Sequence, residues 1–322
     1  MKASWINLRA LAILGVVIIH TFTADISQGN QYMDMFVNQL VRFAVPVFYI
    51  SSGFGLTVTG KNKLNLKEYY SERLKKMLPI MLVSSTLFYL FLCLTEPSAT
   101  FSIKELIVVL FTGKGYYHLY FLYVLFFYYL IYPLMVRLSS SICGVAICLG
   151  ITILFQLVPL WSQLPLLSLF SDPMVWLVYF SFGIYYARRR NIVDSLWKYW
   201  PIWLILGSVC LFITAFLLND STTMRPAVIV YSFGVLSFAM MKLTHENKVL
   251  TFLDKHSLLI YILHPAVLWG VTQVLTSQLS SRNFVDSLIL FAMTLFGTLI
   301  FVVFFIYVGK LFSKDKKSRI VG

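Results

Sequence analysis

Long runs of uncharged, mostly apolar residues alternate along this chain with short polar stretches that carry most of its charges. Most runs are long enough, as α-helices, to cross a bilayer core of about 30 Å. The pattern therefore predicts an all-α, polytopic transmembrane helix bundle of about ten helices. The predicted spans are residues 8–19, 32–57, 77–95, 115–136, 138–171 (broken around Pro159–Pro165), 173–187, 199–219, 226–241, 257–281 and 287–309.

Composition supports a membrane protein and excludes a soluble globular enzyme. Hydrophobic residues make up 59% of the 322 positions and charged residues 12%, and no soluble core could absorb that much apolar surface. The four cysteines lie in apolar runs without metal-ligand spacing, so we expect neither a disulfide framework nor a metal site. We predict one domain over residues 1–322, without a cleavable signal peptide.

The basic residues are distributed unevenly between the two sides of the predicted bundle. There are 26 Lys and Arg against 13 Asp and Glu, an excess that would suggest nucleic-acid binding in a soluble protein. Here, most of the basic residues fall in loops on one side if the N-terminus is cytoplasmic. This is the positive-inside pattern, and it predicts that both termini are cytoplasmic.

Arg9 and His20 are polar residues inside or at the end of the first apolar segment, residues 8–19. Eleven residues of α-helix separate them, which places them on nearly the same face and about 16 Å apart along the axis. An arginine within a membrane is costly unless it faces protein or water, so the pair marks a candidate functional site. The alternative is that Arg9 extends to the headgroups and His20 caps the outer end.

A second arginine, Arg42, lies within the second span and is followed by the sequence VPVFYISSGFG. Pro46 removes a helix hydrogen bond, and the small residues 51–55 permit either an unwound stretch or a close helix contact. An unwound helix beside an arginine predicts a polar cavity. The alternative is an ordinary kinked span with small residues at a helix–helix contact.

Further candidates lie at the third, fourth and ninth spans. Arg73 and Lys76 are three residues apart on a helix entering the membrane, which suits a phosphate clamp, although basic residues at inner helix ends also serve orientation alone. Tyr129 lies four residues before a proline. Lone histidines in apolar helices, such as His118 and His264, are mostly packing residues, and the sequence assigns these two no role.

The order of these motifs resembles one family. The set comprises Arg-x10-His, VPVFYISSGF, Arg-x-x-Lys before Leu-Pro, HLYFLY with a later Tyr-x-x-x-Pro, FSFGIYYARR and IYILHP. Over roughly residues 3–310, the chain resembles the acyltransferase-3 family of bacterial membrane acyltransferases, which modify envelope glycans. Lys76 stands where the family usually has arginine, and Tyr120 where it has tryptophan.

The resemblance implies an O-acyltransferase of the bacterial plasma membrane that takes an acyl group from cytoplasmic acyl-CoA, with acetyl-CoA expected as donor. It implies an envelope glycan or exopolysaccharide as acceptor and a succinyl-like group as the other option for transfer. It implies functional roles for the family positions Arg9, His20, Arg73 and Lys76. Some members carry an extra extracellular domain, and we expect none fused to this chain.

The chemistry of acyl transfer assigns roles to these residues. His20 is the candidate general base, Tyr129 a candidate hydroxyl relay, and Arg9 a ligand for a CoA phosphate or the thioester. Arg42, Arg73 and Lys76 are candidates for CoA binding, and we predict that Arg9, His20 and Arg42 face one polar cavity open inward beside Arg73. Two alternatives stay open: a transporter or flippase without acyl chemistry, and an assembly scaffold in polysaccharide export.

Overall fold

The computed structural model describes residues 2–22, 32–60, 65–96, 99–157, 171–217, 222–275 and 283–318, and every regular element within these ranges is helical. We number the α-helices in chain order. They are α1 (Lys2–Thr21), α2 (Tyr32–Leu40), α3 (Ala44–Val58), α4 (Leu66–Thr95), α5 (Ile103–Thr112), α6 (Tyr120–Leu138), α7 (Ile142–Leu157), α8 (Leu177–Arg188), α9 (Arg190–Leu196), α10 (Trp200–Phe212), α11 (Pro226–Lys242), α12 (Lys248–Lys255), α13 (Ser257–Leu275) and α14 (Phe284–Ser318).

The helices confirm the all-α prediction. Each of the ten predicted segments contains a helix, and within the described residues seven helical segments are long and apolar enough to cross a membrane. The helices α7, α8 and α11 are shorter, so the number of crossings stays a prediction. The break around Pro159–Pro165 lies outside the described residues. The fold is that of a multi-pass membrane protein, because only helices or closed barrels satisfy their backbone groups in lipid.

The chain forms two compact units, each assembled from separated segments. Unit 1 comprises Met1–Val45, Leu211–Thr222 and Ala239–Gly322, and unit 2 comprises Pro46–Cys210 and Thr223–Phe238. Unit 1 contains α1, α2, α12, α13 and α14, and unit 2 contains α4 to α9. The chain passes between the units within α3, α10 and α11. That all 322 residues form one domain stays a prediction.

The second span is interrupted at Arg42 itself and not at the small residues that follow it. Residues 41–43 form a turn between α2 and α3, closed by short-range backbone hydrogen bonds from Arg42 to Gln39 and from Ala44 to Val41. Residues 44–58 are continuously helical, so an unwound stretch at residues 51–55 was wrong. Pro46 is tolerated because it occupies the first turn of α3, where its missing N–H removes no helical bond.

The small residues of α3 form a close helix–helix contact within unit 2, which was the alternative interpretation. A methyl group on Gly53 would collide with the backbone oxygen of Phe180, and one on Gly183 would collide with that of Ile50. The helices α3 and α8 therefore approach at both glycines, as small residues allow in membrane bundles.

In unit 1, buried amides hold α1 at both of its ends. Near its start, Asn7 donates from Nδ2 to the backbone oxygens of Leu243 (3.0 Å) and His245 (2.8 Å). At its end, Asn38 of α2 donates to the oxygens of Ile19 (3.2 Å) and Phe22 (2.6 Å). These buried amides satisfy backbone oxygens at each end and hold the helix that carries Arg9 and His20.

Candidate functional site

Arg9 forms a two-point ion pair with Asp254, a residue that the sequence did not single out. Its Nε donates to Oδ1 at 2.6 Å and its Nη2 donates to Oδ2 at 2.8 Å. The side chain of Asp254 is 11% exposed and that of Arg9 is 33% exposed. A fork of two parallel N–H groups on one carboxylate is the strong form of this interaction, and it joins α1 to α12.

His256, two residues after Asp254, does not compete for this carboxylate. Burial and the neighbouring Lys255 lower the pKa of the His256 imidazole. The imidazole is therefore neutral at neutral pH, and Asp254 binds the permanent charge of Arg9.

His20 lies against a second histidine, His264 of α13. The two rings stack with their centroids 5.4 Å apart and an interplanar angle of 28°. His20 is half-buried, whereas His264 is fully buried. Arg42, also buried, lies close enough to His20 for electrostatic interaction. The second half of α1 therefore presents one imidazole with a stacked imidazole and a guanidinium near it.

The orientation of His264 follows from the proline that comes after it. Pro265 has no N–H, so the carbonyl of Tyr261, four residues earlier, lacks its helical donor. The Nδ1–H of His264 donates to that carbonyl at 2.8 Å and to the carbonyl of Ile260 at 3.2 Å. Because a carbonyl only accepts, the proton of neutral His264 is on Nδ1.

In unit 2, Arg73 lies among tyrosines and has little contact with solvent. Its side chain is 13% exposed, and its guanidinium carbon lies 5.9 Å from the ring centroid of Tyr69 and 5.6 Å from that of Tyr129. Tyr69 donates to the backbone oxygen of Tyr129 at 2.7 Å, which joins α4 to α6. Lys76, on the same helix, is exposed. The two basic residues therefore differ: Arg73 is ordered by cation–π contacts, and Lys76 is free to reorient.

Tyr129 is half-buried, and its hydroxyl hydrogen-bonds the side chain of Ser52. With Arg73 over its ring, Tyr129 connects α3, α4 and α6 within unit 2. The residue therefore has a polar neighbour at its hydroxyl and a cation at its ring.

The family of the chain is settled by comparison with known proteins. The sequence model of the acyltransferase-3 family, described as an acyltransferase domain, matches residues 3–307. The chain belongs to the acyltransferase-3 family. Comparison with curated proteins and with solved structures gave no match. The protein is thus a multi-pass membrane acyltransferase, as the ordered motifs predicted.

The predicted site residues of the acyltransferase are divided between the two units. Arg9, His20 and Arg42 belong to unit 1, where Arg9 pairs with Asp254 and His20 interacts with His264 and Arg42. Arg73 and Tyr129 are in contact in unit 2. A polar cavity shared by Arg9, His20 and Arg42, and open inward beside Arg73, stays a prediction.

Unit 2 of the acyltransferase also contains a partly open apolar pocket of about 320 Å³, lined by residues of α3 and of α7 to α11. None of the predicted site residues lines it. Its lining includes Ile50, Tyr179, Phe182, Trp203 and Phe233.

Asp254 and His264 of the acyltransferase were not among the predicted site residues. Asp254 is a single acid in a short amphipathic helix, and nothing local in the sequence links it to Arg9. The sequence assigned His264 no role, although the His-Pro pair was a signal, because proline frees a carbonyl that a preceding histidine can satisfy. His118, which the sequence also assigned no role, is buried in unit 2, and its ring centroid lies 4.7 Å from that of Phe88. Among the described residues, no cluster of His, Cys, Asp and Glu could hold a metal ion.

Proposed function

We propose that the protein is an O-acyltransferase of the bacterial plasma membrane, which moves an acetyl-like or succinyl-like group from cytoplasmic acyl-CoA to a hydroxyl of an envelope or extracellular polysaccharide. The observation that carries the proposal is the half-buried imidazole of His20, which lies in a membrane helix beside a second histidine and an arginine. Acyl transfer needs a base and a positive charge near the developing oxyanion, and unit 1 supplies both types of group.

The proposed reaction uses His20 as a base and then as an acid. His20 takes the proton of the acceptor hydroxyl while that oxygen attacks the thioester carbonyl and forms the new C–O bond. The tetrahedral oxyanion then collapses, the C–S bond breaks, and the protonated imidazole returns its proton to the leaving thiolate of CoA. Imidazole suits both steps because its ordinary pKa is close to neutral.

Arginines supply the charge that the donor requires. Arg42 is the candidate that stabilises the oxyanion, because its guanidinium is buried and interacts electrostatically with His20. In unit 2, Arg73 binds a phosphate of CoA through the edge of its guanidinium while its face lies against tyrosine rings, and exposed Lys76 adds a second charge. Tyr129 relays a proton through its hydroxyl, for which Ser52 is the neighbour.

Arg9 has a role that differs from that of a free phosphate ligand. Two of its donors already bind Asp254, so its charge is partly compensated before any donor arrives. We assign Arg9 to holding α1 in register with α12 and to presenting its remaining N–H groups to the donor. The proposal therefore gives it both a structural and a binding part.

The test combines cellular and purified systems. Mass spectrometry of envelope glycans from cells with and without the gene should show one acyl group lost with the gene. Purified protein in nanodiscs, given acetyl-CoA or succinyl-CoA and the glycan from the deleted strain, should release CoA thiol and acylate the glycan. A His20→Ala protein, inserted correctly, is the control. Glycan transport without CoA release would instead support a transporter or flippase.

A further inference from the structure

His264 differs from the other buried histidine of the described chain in what it contacts. It is fully buried, it stacks on His20, and both of its backbone acceptors lie in its own helix. Full burial keeps it from touching a substrate. The stacking on His20 is the contact that connects His264 to the proposed base.

The ring of His264 has little freedom to turn. The Nδ1–H bond to the carbonyl that Pro265 leaves without a donor fixes the plane of the imidazole. A ring held in this way offers a fixed flat surface, and the His20 ring lies against it at an interplanar angle of 28°. The missing backbone hydrogen bond at Pro265 is thus replaced by a side-chain hydrogen bond that fixes the ring of His264.

We propose that His264 is a positioning residue for His20: the stacked, tautomerically fixed ring of His264 holds the His20 imidazole in the orientation in which it acts as the base. Its effect on turnover rests on the proposed function. The effect on the orientation of His20 does not.

Variants of His264 separate the contribution of its aromatic ring from that of its hydrogen bond to the Tyr261 carbonyl. His264→Asn keeps an N–H near the Tyr261 carbonyl but has no aromatic face. His264→Phe keeps the face but not the donor, and Pro265→Ala in the same chain restores a backbone N–H to that carbonyl. His264→Ala removes both. The double variant His264→Phe/Pro265→Ala should therefore fold well and retain stacking.

The first measurement follows turnover in nanodiscs with acetyl-CoA and succinyl-CoA. A base displaced by about 1 Å costs on the order of 10²-fold in rate, so kcat should fall by about that factor in His264→Asn, with KM for acyl-CoA unchanged. His264→Phe/Pro265→Ala should recover most of the lost kcat. Phe212→Ala is the matched control, because Phe212 stacks on Phe36 in the same unit with centroids 5.0 Å apart and contacts neither histidine. It should leave kcat unchanged.

The second measurement does not depend on turnover. Diethyl pyrocarbonate modifies accessible imidazoles, and mass spectrometry of the peptide containing His20 gives the rate at that residue. The rate should rise severalfold in His264→Asn and His264→Ala and stay near the wild-type value in His264→Phe/Pro265→Ala. Equal rates in all four proteins would overturn the positioning of His20 by His264.

The two measurements distinguish the failures of the two proposals. If wild-type protein releases no CoA from either thioester while the His20 labelling rate depends on His264, the proposed function fails and the positioning stands. If labelling changes but kcat of His264→Asn equals that of the wild type, the ring contact exists and its role in turnover is refuted.

Discussion

Removing the carboxylate of Asp254 tests whether the ion pair with Arg9 holds α1 in place. Breaking a fully buried pair by deleting one partner costs about 3–5 kcal/mol. An exposed pair contributes only about 0.2–1 kcal/mol. With Asp254 11% and Arg9 33% exposed, and with two charge-assisted bonds at 2.6 and 2.8 Å, we expect Asp254→Ala to lower the free energy of unfolding by about 1.5–3 kcal/mol.

The assay is a double-mutant cycle. Arg9→Ala, Asp254→Ala and the double variant are unfolded reversibly in mixed micelles, and the coupling energy is the departure from additivity. We expect a coupling of about 1–2 kcal/mol, between the exposed and buried limits. Arg9→Lys should recover only part of it, since an ammonium cannot donate in the same two-point geometry. A coupling below about 0.5 kcal/mol would refute the structural role of the pair.

A matched control lies in unit 2. Glu72 is 40% exposed and is 3.8 Å from Nη2 of Arg73, beyond the distance of a good hydrogen bond. The corresponding cycle on Glu72 and Arg73 should therefore give a coupling below about 1 kcal/mol. The exchange Arg9→Asp/Asp254→Arg then separates structure from chemistry. It should restore stability but not acyl transfer, because the cation no longer projects from α1.

Three further predictions follow from single residues. His20→Ala should lower acyl transfer by at least about 10²-fold while insertion is unchanged, and full activity in a correctly inserted protein would remove the base assignment. Arg73→Ala should raise KM for acyl-CoA more than it lowers kcat, and the increase in KM should be smaller at high salt. Lys76→Ala should have a smaller effect on KM because Lys76 is exposed. An unchanged KM in Arg73→Ala would argue that Arg73 serves helix orientation alone. Gly53→Ala should destabilise the protein by about 1–3 kcal/mol because α3 must move from α8, whereas Gly55→Ala, with open space around it, should be neutral or stabilising; equal stabilities would contradict the close contact.

The places of the long apolar helices could be predicted from the sequence for a physical reason. Lipid offers no hydrogen bonds to a backbone, so an apolar run must form a helix that satisfies itself, and its length can be counted along the chain. All ten predicted segments contain helices for this reason. The family could also be predicted from the motifs, because their order along the chain is a property of the sequence. The same local information placed Arg9 and His20 on one continuous helix, α1.

The partners of those residues were decided by tertiary structure. Arg9 meets Asp254 and His20 meets His264, each more than two hundred positions away along the chain, and no local pattern fixes such a pairing. Residues 51–55 allowed either an unwound stretch or a close contact. Packing against α8 decided for the contact, because the backbone oxygen of Phe180 lies where a side chain at Gly53 would be. The sequence by itself determined which segments are helical and which polar residues they carry, because lipid acts on each segment separately. Only the packing of the helices determined which partner each of those polar residues contacts.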